Sequence, residues 1–323
     1  MTEGADILTV EGLSLEVRRR GAVGSIVHDA SLRVGQGEIV GLIGESGSGK
    51  TMTAKALLGL LPERVHVSGG RAMFGGRDLL SATARELRAI RGAEIAAIPQ
   101  DALHALNPVL RIGRQVGEPI EVHDPARSPS AIRDRVRSLL AQVGIDRPAE
   151  RARQYPHEFS GGMQQRAVTA MALAMSPRLI IADEPTTALD VTIQAQVLDL
   201  LRELRRETGT SFLFISHDLG LVSSFCDRIY VMYAGVIVES GPAAEIFAAP
   251  RHPYTRALIG SVPRLGANPE WLASIPGQIP SPFAHDEGCR FRGRCPLAHD
   301  RCTRPPPRVP HGAGHESLCW AEV

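Results

Sequence analysis

Gly44-Glu45-Ser46-Gly47-Ser48-Gly49-Lys50-Thr51 has the residue types and spacing G-x-x-x-x-G-K-[ST], and it follows directly on the apolar run Ile39-Val40-Gly41-Leu42-Ile43. Glycines at this spacing let the backbone N–H groups of the loop turn toward one anion, and the helix that follows presents its positive end to the same point. Lys50 is placed to contact the β- and γ-phosphates of a nucleotide, and the Thr51 hydroxyl to ligate Mg²⁺. A second apolar run, Leu179-Ile180-Ile181-Ala182, ends in the adjacent carboxylates Asp183 and Glu184. Asp183 suits Mg²⁺, commonly held through water, while Glu184 suits a general base that polarises an attacking water. In isolation such a pair also reads as a strand end capping a helix. Behind a phosphate loop it points to phosphoryl transfer.

These elements fit any P-loop ATPase. Phe159-Ser160-Gly161-Gly162-Met163-Gln164-Gln165, just before the Asp-Glu strand and opening a helix, narrows the choice. Here the sequence resembles the ABC ATPase family, whose signature is a Ser-Gly-Gly turn at a helix N-terminus. In that family the turn binds the γ-phosphate of ATP held by the opposite subunit, so the resemblance implies that Ser160, Gly161 and Gly162 act in trans within a head-to-tail dimer. A helix N-terminus plus a hydroxyl is physically an anion site that its own P-loop does not need. By the same resemblance Gln100, in Ile98-Pro99-Gln100, contacts Mg²⁺ and water and links the ATP site to the permease. Thr187-Ala188-Leu189-Asp190 is similar to the loop that crosses the dimer seam, with Asp190 an in trans contact, and His217 after Phe212-Leu213-Phe214-Ile215-Ser216 to the switch histidine on the γ-phosphate. One departure stands out. The family stacks adenine on an aromatic residue upstream of the P-loop, but no Phe, Trp or Tyr precedes Phe74, which leaves Val17 or its neighbours, or His28, at that position.

Within the family, Ala105-Leu106-Asn107-Pro108-Val109, Pro253-Tyr254-Thr255 and a cysteine-bearing tail resemble the ATP-binding subunits of the dipeptide, oligopeptide and nickel importer group. The resemblance implies an ATPase at the cytoplasmic face of the membrane that powers peptide import. Its implied partners are a second related ATPase, two membrane permeases and an extracytoplasmic peptide-binding protein. A nickel importer is the nearer alternative, and a non-transport ABC ATPase acting on nucleic acid the more distant one. Cys289, Cys295, Cys302 and Cys319, spaced C-x₅-C-x₆-C-x₁₆-C, favour the peptide branch. Four thiolates suit a [4Fe–4S] cluster or a tetrahedral Zn²⁺, and the absence of C-x₂-C knuckles tilts the choice toward iron. His285, His299, His311 and His315 are possible substitute ligands, and two disulfides or four free thiols the plainer alternative. Cys226, in the ATPase core, reads as an ordinary buried thiol.

The elements that must position these groups follow from periodicity. Short runs apolar on both faces (Ile39 to Ile43, Leu179 to Ala182, Phe212 to Ile215, Ile229 to Met232) alternate with helical stretches such as Ile193 to Arg206, as in an α/β fold with a parallel-sheet core covered by helices. A helical subdomain is expected at about residues 101–160, within an ATPase domain spanning 1–243. Pro and Gly then rise sharply, so 244–323 is expected to be a loop-rich extension with little core of its own. Hydrophobic residues at 43% and charged residues at 22% suit a globular protein, and Lys plus Arg (36) against Asp plus Glu (35) gives no electrostatic reason to bind nucleic acid. The N-terminus shows no secretory signal, and no apolar run approaches the ~18–20 residues of a membrane span.

Overall fold

In a computed structural model, residues 6–186, 191–261, 275–284, 287–312 and 314–321 are described, without the side chains of 102, 103 and 191–193. The chain forms two compact units, one of residues 83–213 and one joining 6–82 to 214–323.

In the second of these, the strand Ile39–Ile43 is buried at every position and runs parallel to Arg228–Tyr233. It delivers the phosphate loop at its C-terminal end, and the helix Lys50–Leu57 follows. The chain then departs from the parallel pattern expected of the sheet. Arg228–Tyr233 turns back through Ala234 and Gly235, at φ 46° and 85°, into the antiparallel strand Val236–Pro242. Two successive residues at positive φ make the tight turn whose twist matches the flanking strands of a hairpin. A further antiparallel sheet pairs Asp6–Arg19 with both Ala22–Gly35 and Val65–Phe74, the last also with Arg77–Asp78. The sheet that carries the phosphate loop is therefore mixed, and this further one is antiparallel throughout.

The C-terminal extension is better anchored than its composition suggests. The strands Arg308–Pro310 and Glu316–Leu318 form a hairpin, and the latter adds antiparallel to Val236–Pro242. Phe291, 1% exposed, packs against both Tyr233 and Tyr254, with ring centroids 5.1 and 5.4 Å away, and the two tyrosine ring centroids lie 4.6 Å apart. Glu239 is fully buried; its carboxylate accepts the backbone N–H groups of Arg251 (2.6 Å) and His252 (2.8 Å) and meets His315 Nε2 at 2.7 Å. Such a carboxylate is tolerated only because its lone pairs are filled. The extension thus borrows its core from the rest of the unit.

The other unit carries the parallel pair Ile95–Ile98 and Leu179–Asp183. Its helices include Ile112–His123, Pro129–Gln142 and Gly161–Ala172. Ile112, Val116 and Ile120 from the first and Ile132, Val136, Leu139 and Leu140 from the second are buried, at the three- and four-residue spacing of amphipathic helices. Ser128 caps the second, its side chain accepting the N–H of Ala131, with Pro129 opening the first turn.

Candidate functional site

The phosphate loop has the local geometry its spacing calls for. Gly44, Gly47 and Gly49 sit at φ 151°, 83° and 109°, and a Cβ on Gly44 would lie 2.1 Å from the Met232 carbonyl oxygen, so only glycine fits there. A Cβ on Gly47 would meet nothing within 4 Å, which leaves that side of the loop open to a ligand. Lys50 is buried, and its Nζ donates to the carbonyls of Gly44 (2.7 Å) and Glu45 (2.9 Å) and reaches Ser48 Oγ at 3.5 Å. No side chain caps the helix Lys50–Leu57 at Gly49. A cradle of turned-in backbone, a buried ammonium and an uncapped helix N-terminus fits the polyphosphate of a nucleotide. The Thr51 hydroxyl in this unit is an oxygen of the hard kind that Mg²⁺ prefers, as are the carboxylate of Asp183 and the amide oxygen of Gln100 in the other unit.

In the other unit, the strand Leu179–Asp183 ends at Glu184, which takes the left-handed φ of 49°. A non-glycine residue held there is strained, and such strain concentrates where a side chain must point in one direction. Gln100 Nε2 donates to Glu184 Oε2 at 3.0 Å, so the two residues, 84 apart in sequence, stand together. Ser160 is the N-cap of the helix Gly161–Ala172, its hydroxyl accepting from the Met163 N–H at 3.4 Å, and a Cβ on Gly161 would meet nothing within 4 Å. Behind it Gln164 is buried, its Nε2 donating to the Pro156 carbonyl at 2.8 Å and fixing the turn that leads into the helix. His217 is exposed at the end of the strand Ser211–Ser216, beside Asp218, which caps the helix Leu219–Phe225 by accepting the Leu221 N–H at 3.2 Å. Asp190 lies outside the described residues, as does His285.

Val17 pairs with Gly24 on one side and Val65 on the other. His28 is exposed, with its backbone N–H on the Gly235 carbonyl at 2.8 Å. An aromatic ring does lie against this strand, but from the far end of the chain. A Cβ on Gly24 would stand 2.9 Å from Phe283 Cδ1 and 3.0 Å from Cε1, so glycine is what admits the ring.

The four tail cysteines are all free thiols, with Cys302 and Cys319 buried. The Cys289 N–H donates to the Cys302 carbonyl at 2.9 Å. Burial, with the thiols of Cys319, Cys302 and Cys295 nearby, pushes the Cys289 thiol up to about 11, and burial also raises Cys295 and Cys319. Protonated thiols are not ligands; a metal must displace their protons. Among the described residues no group of three or more His, Cys, Asp or Glu side chains is arranged to hold a metal ion. Cys226 is the buried thiol expected, raised far above its ordinary value by burial.

The phosphate loop of one unit and the carboxylate strand end and Ser-capped helix of the other are the elements of an ATP-binding cassette, and the chain belongs to the ABC transporter family. The model of that family matches residues 27–187, and a model of the oligopeptide/dipeptide transporter C-terminal region matches residues 238–302. The chain is similar to the dipeptide transport ATP-binding protein DppD of Bacillus subtilis, at 45% identity over 98% of this chain and 95% of that one. It is 46% identical, over the same shares, to a putative peptide import ATP-binding protein of Brucella abortus. Among solved structures, a dimeric ATP-binding cassette in a post-hydrolysis state with ADP and Pi matches with a TM-score of 0.66 at 25% identity, covering 73% of this chain and 98% of that one.

Proposed function

We propose that this chain is the ATP-hydrolysing subunit of an importer of dipeptides or oligopeptides. The likeness over nearly the whole chain to peptide-import ATP-binding proteins supports this reading, together with the match of residues 238–302 to the C-terminal region of such transporters. Among the described residues no helix is long and apolar enough to cross a membrane. In this reading, membrane attachment comes through two permeases, with a second related ATPase completing the dimer and an extracytoplasmic binding protein delivering the peptide. Residues 1–243 form the ATPase domain, with its helical subdomain at about 101–160, and 244–323 the extension.

Lys50 and the amides of Gly47, Ser48 and Gly49 hold the phosphates, with Gly44 and Ser46 shaping the loop. Thr51, Asp183 and Gln100 would hold Mg²⁺, directly or through water, and the ion would supply neutralisation of phosphate charge. Glu184 takes the proton of the attacking water, and the Gln100 amide, bonded to its carboxylate, orients it. His217 contacts the γ-phosphate, while Ser160, Gly161, Gly162 and Asp190 contact the ATP of the opposite subunit. Cargo is tested by uptake of labelled dipeptide and labelled nickel in cells with the gene deleted. Loss of peptide uptake with nickel uptake intact is expected, and the reverse outcome assigns the subunit to a nickel importer.

Cys289, Cys295, Cys302 and Cys319 remain candidates for a [4Fe–4S] cluster, with Zn²⁺ the alternative. Soft thiol donors and their gathering in one segment support it. Protein purified without oxygen is expected to be brown, with about four irons and four sulfides per chain. Colourless protein with one zinc, or with no metal, ends the idea.

A further inference from the structure

Glu45, the second residue of the phosphate loop, places a carboxylate beside the site where a polyphosphate binds. An uncompensated carboxylate there repels the anion that the rest of the loop attracts. Its neutralising partner comes from 249 residues away. Arg294 meets Glu45 with both ends of its guanidinium, Nη1 to Oε2 at 2.9 Å and Nη2 to Oε1 at 3.1 Å.

Every other donor of that guanidinium is also engaged. Nε donates to the Pro276 carbonyl (2.8 Å), Nη2 also to the Ile275 carbonyl (3.0 Å) and Nη1 also to the Tyr233 hydroxyl (3.4 Å). The Arg294 side chain is 7% exposed and that of Glu45 26%, so water screens the pair poorly. Five engaged donors and a two-pronged contact fix the arginine in one orientation. Glu45 is tied by its backbone as well: its N–H donates to the Tyr254 hydroxyl at 2.8 Å, and its carbonyl accepts Lys50 Nζ at 2.9 Å. Tyr254 in turn packs on Tyr233 and Phe291, three residues before Arg294.

We propose that the C-terminal extension is a working part of the phosphate site: Arg294 cancels the Glu45 carboxylate and holds the loop in its anion-binding shape. Arg294 is a positioning residue, since it acts on the phosphates through Glu45. The ligand class is a nucleoside triphosphate, recognised here through its phosphates and not its base. The proposal rests on the phosphate-site reading of Lys50 and the loop glycines.

The test is a double-mutant cycle on the full-length chain, with ATP and with inorganic tripolyphosphate as probes, read by calorimetry. Arg294→Met is expected to weaken both ligands by about tenfold or more, because one unbalanced carboxylate then faces either anion. Adding Glu45→Gln removes the repulsion and brings affinity back to within about threefold of wild type. Arg294→Lys keeps the charge without the fork and falls between wild type and Arg294→Met; it carries the test if the methionine variant does not fold. Unchanged affinity in Arg294→Met, or no recovery in the double variant, overturns the proposal and leaves Arg294 a packing residue. If Lys50→Ala retains full affinity for tripolyphosphate, the phosphate-site reading itself fails. If Lys50→Ala loses affinity while Arg294→Met does not, only the proposal fails.

Discussion

Glu184→Gln lowers ATP hydrolysis by about 10²–10⁴-fold, the contribution of a positioned general base, while ATP still binds. The substitution keeps the shape of the side chain at a residue held at φ 49°, so the strand end and the left-handed turn are undisturbed. It removes the proton acceptor. The remaining amide oxygen still accepts from Gln100 Nε2, which donates to Glu184 Oε2 at 3.0 Å in the wild type, so the glutamine keeps its place and the effect falls on chemistry. Lys50 and the loop glycines, to which phosphate binding is assigned above, are untouched. Phosphate release by the assembled transporter is the measurement, with the equivalent carboxylate of the partner ATPase also replaced so that its turnover cannot mask the loss. Wild-type turnover under those conditions removes Glu184 from the chemistry.

The parts of the site made by local chain were legible in the sequence. The glycines of the loop, the carboxylates at the end of Leu179–Asp183 and Ser160 at a helix start each declare themselves within a few residues, because their geometry is set by backbone conformation and a neighbouring side chain. What the sequence hid is long-range. Arg294 and Glu45 are separated by 249 residues, and nothing in an arginine between two cysteines says which carboxylate it will meet. The ring of Phe283 on Gly24 was hidden in the same way; the glycine's lack of a side chain is what lets the ring approach.

The mixed sheet escaped for a different reason. Hairpin turns with two positive φ values usually advertise themselves as Asn-Gly or Asp-Gly, but here Ala234 takes the first position at φ 46°. Alanine gives no such warning, so the antiparallel strand Val236–Pro242 beyond the turn went unread, although Ile229 to Met232 itself does run parallel to Ile39–Ile43. The strand Glu316–Leu318 is only three residues long and lies in a Pro- and Gly-rich tail, too short for an alternating pattern to be seen. His315 was weighed as a metal ligand. Its Nε2 instead meets the buried carboxylate of Glu239 at 2.7 Å, a partner its sequence neighbourhood does not reveal.

Lys50 and Ser160 should separate cleanly under the proposed roles, in which Lys50 serves the ATP bound by its own chain and Ser160 the ATP of a second chain. Lys50→Ala removes a buried ammonium that now bridges the Gly44 and Glu45 carbonyls and is placed to meet phosphate. Loss of a charged hydrogen bond costs about 1.5–3 kcal/mol, so ATP affinity of the isolated chain drops roughly 10–100-fold. Ser160→Ala leaves that loop intact and removes only the cap on the Met163 N–H, at a cost of about 0.5–2 kcal/mol to the helix Gly161–Ala172. ATP affinity of the isolated chain is then unchanged. Gly162→Asp adds a negative charge in the first turn, where it repels an incoming γ-phosphate but favours the helix itself, so the two variants disturb the helix in opposite directions and the shared result isolates the anion site. Both are expected to abolish ATP-driven dimer closure, measured by size-exclusion chromatography in the Glu184→Gln background with the partner ATPase present. If the isolated chain carrying Ser160→Ala or Gly162→Asp loses ATP affinity as far as Lys50→Ala does, the capped helix serves the ATP of its own chain and the cross-subunit assignment is wrong.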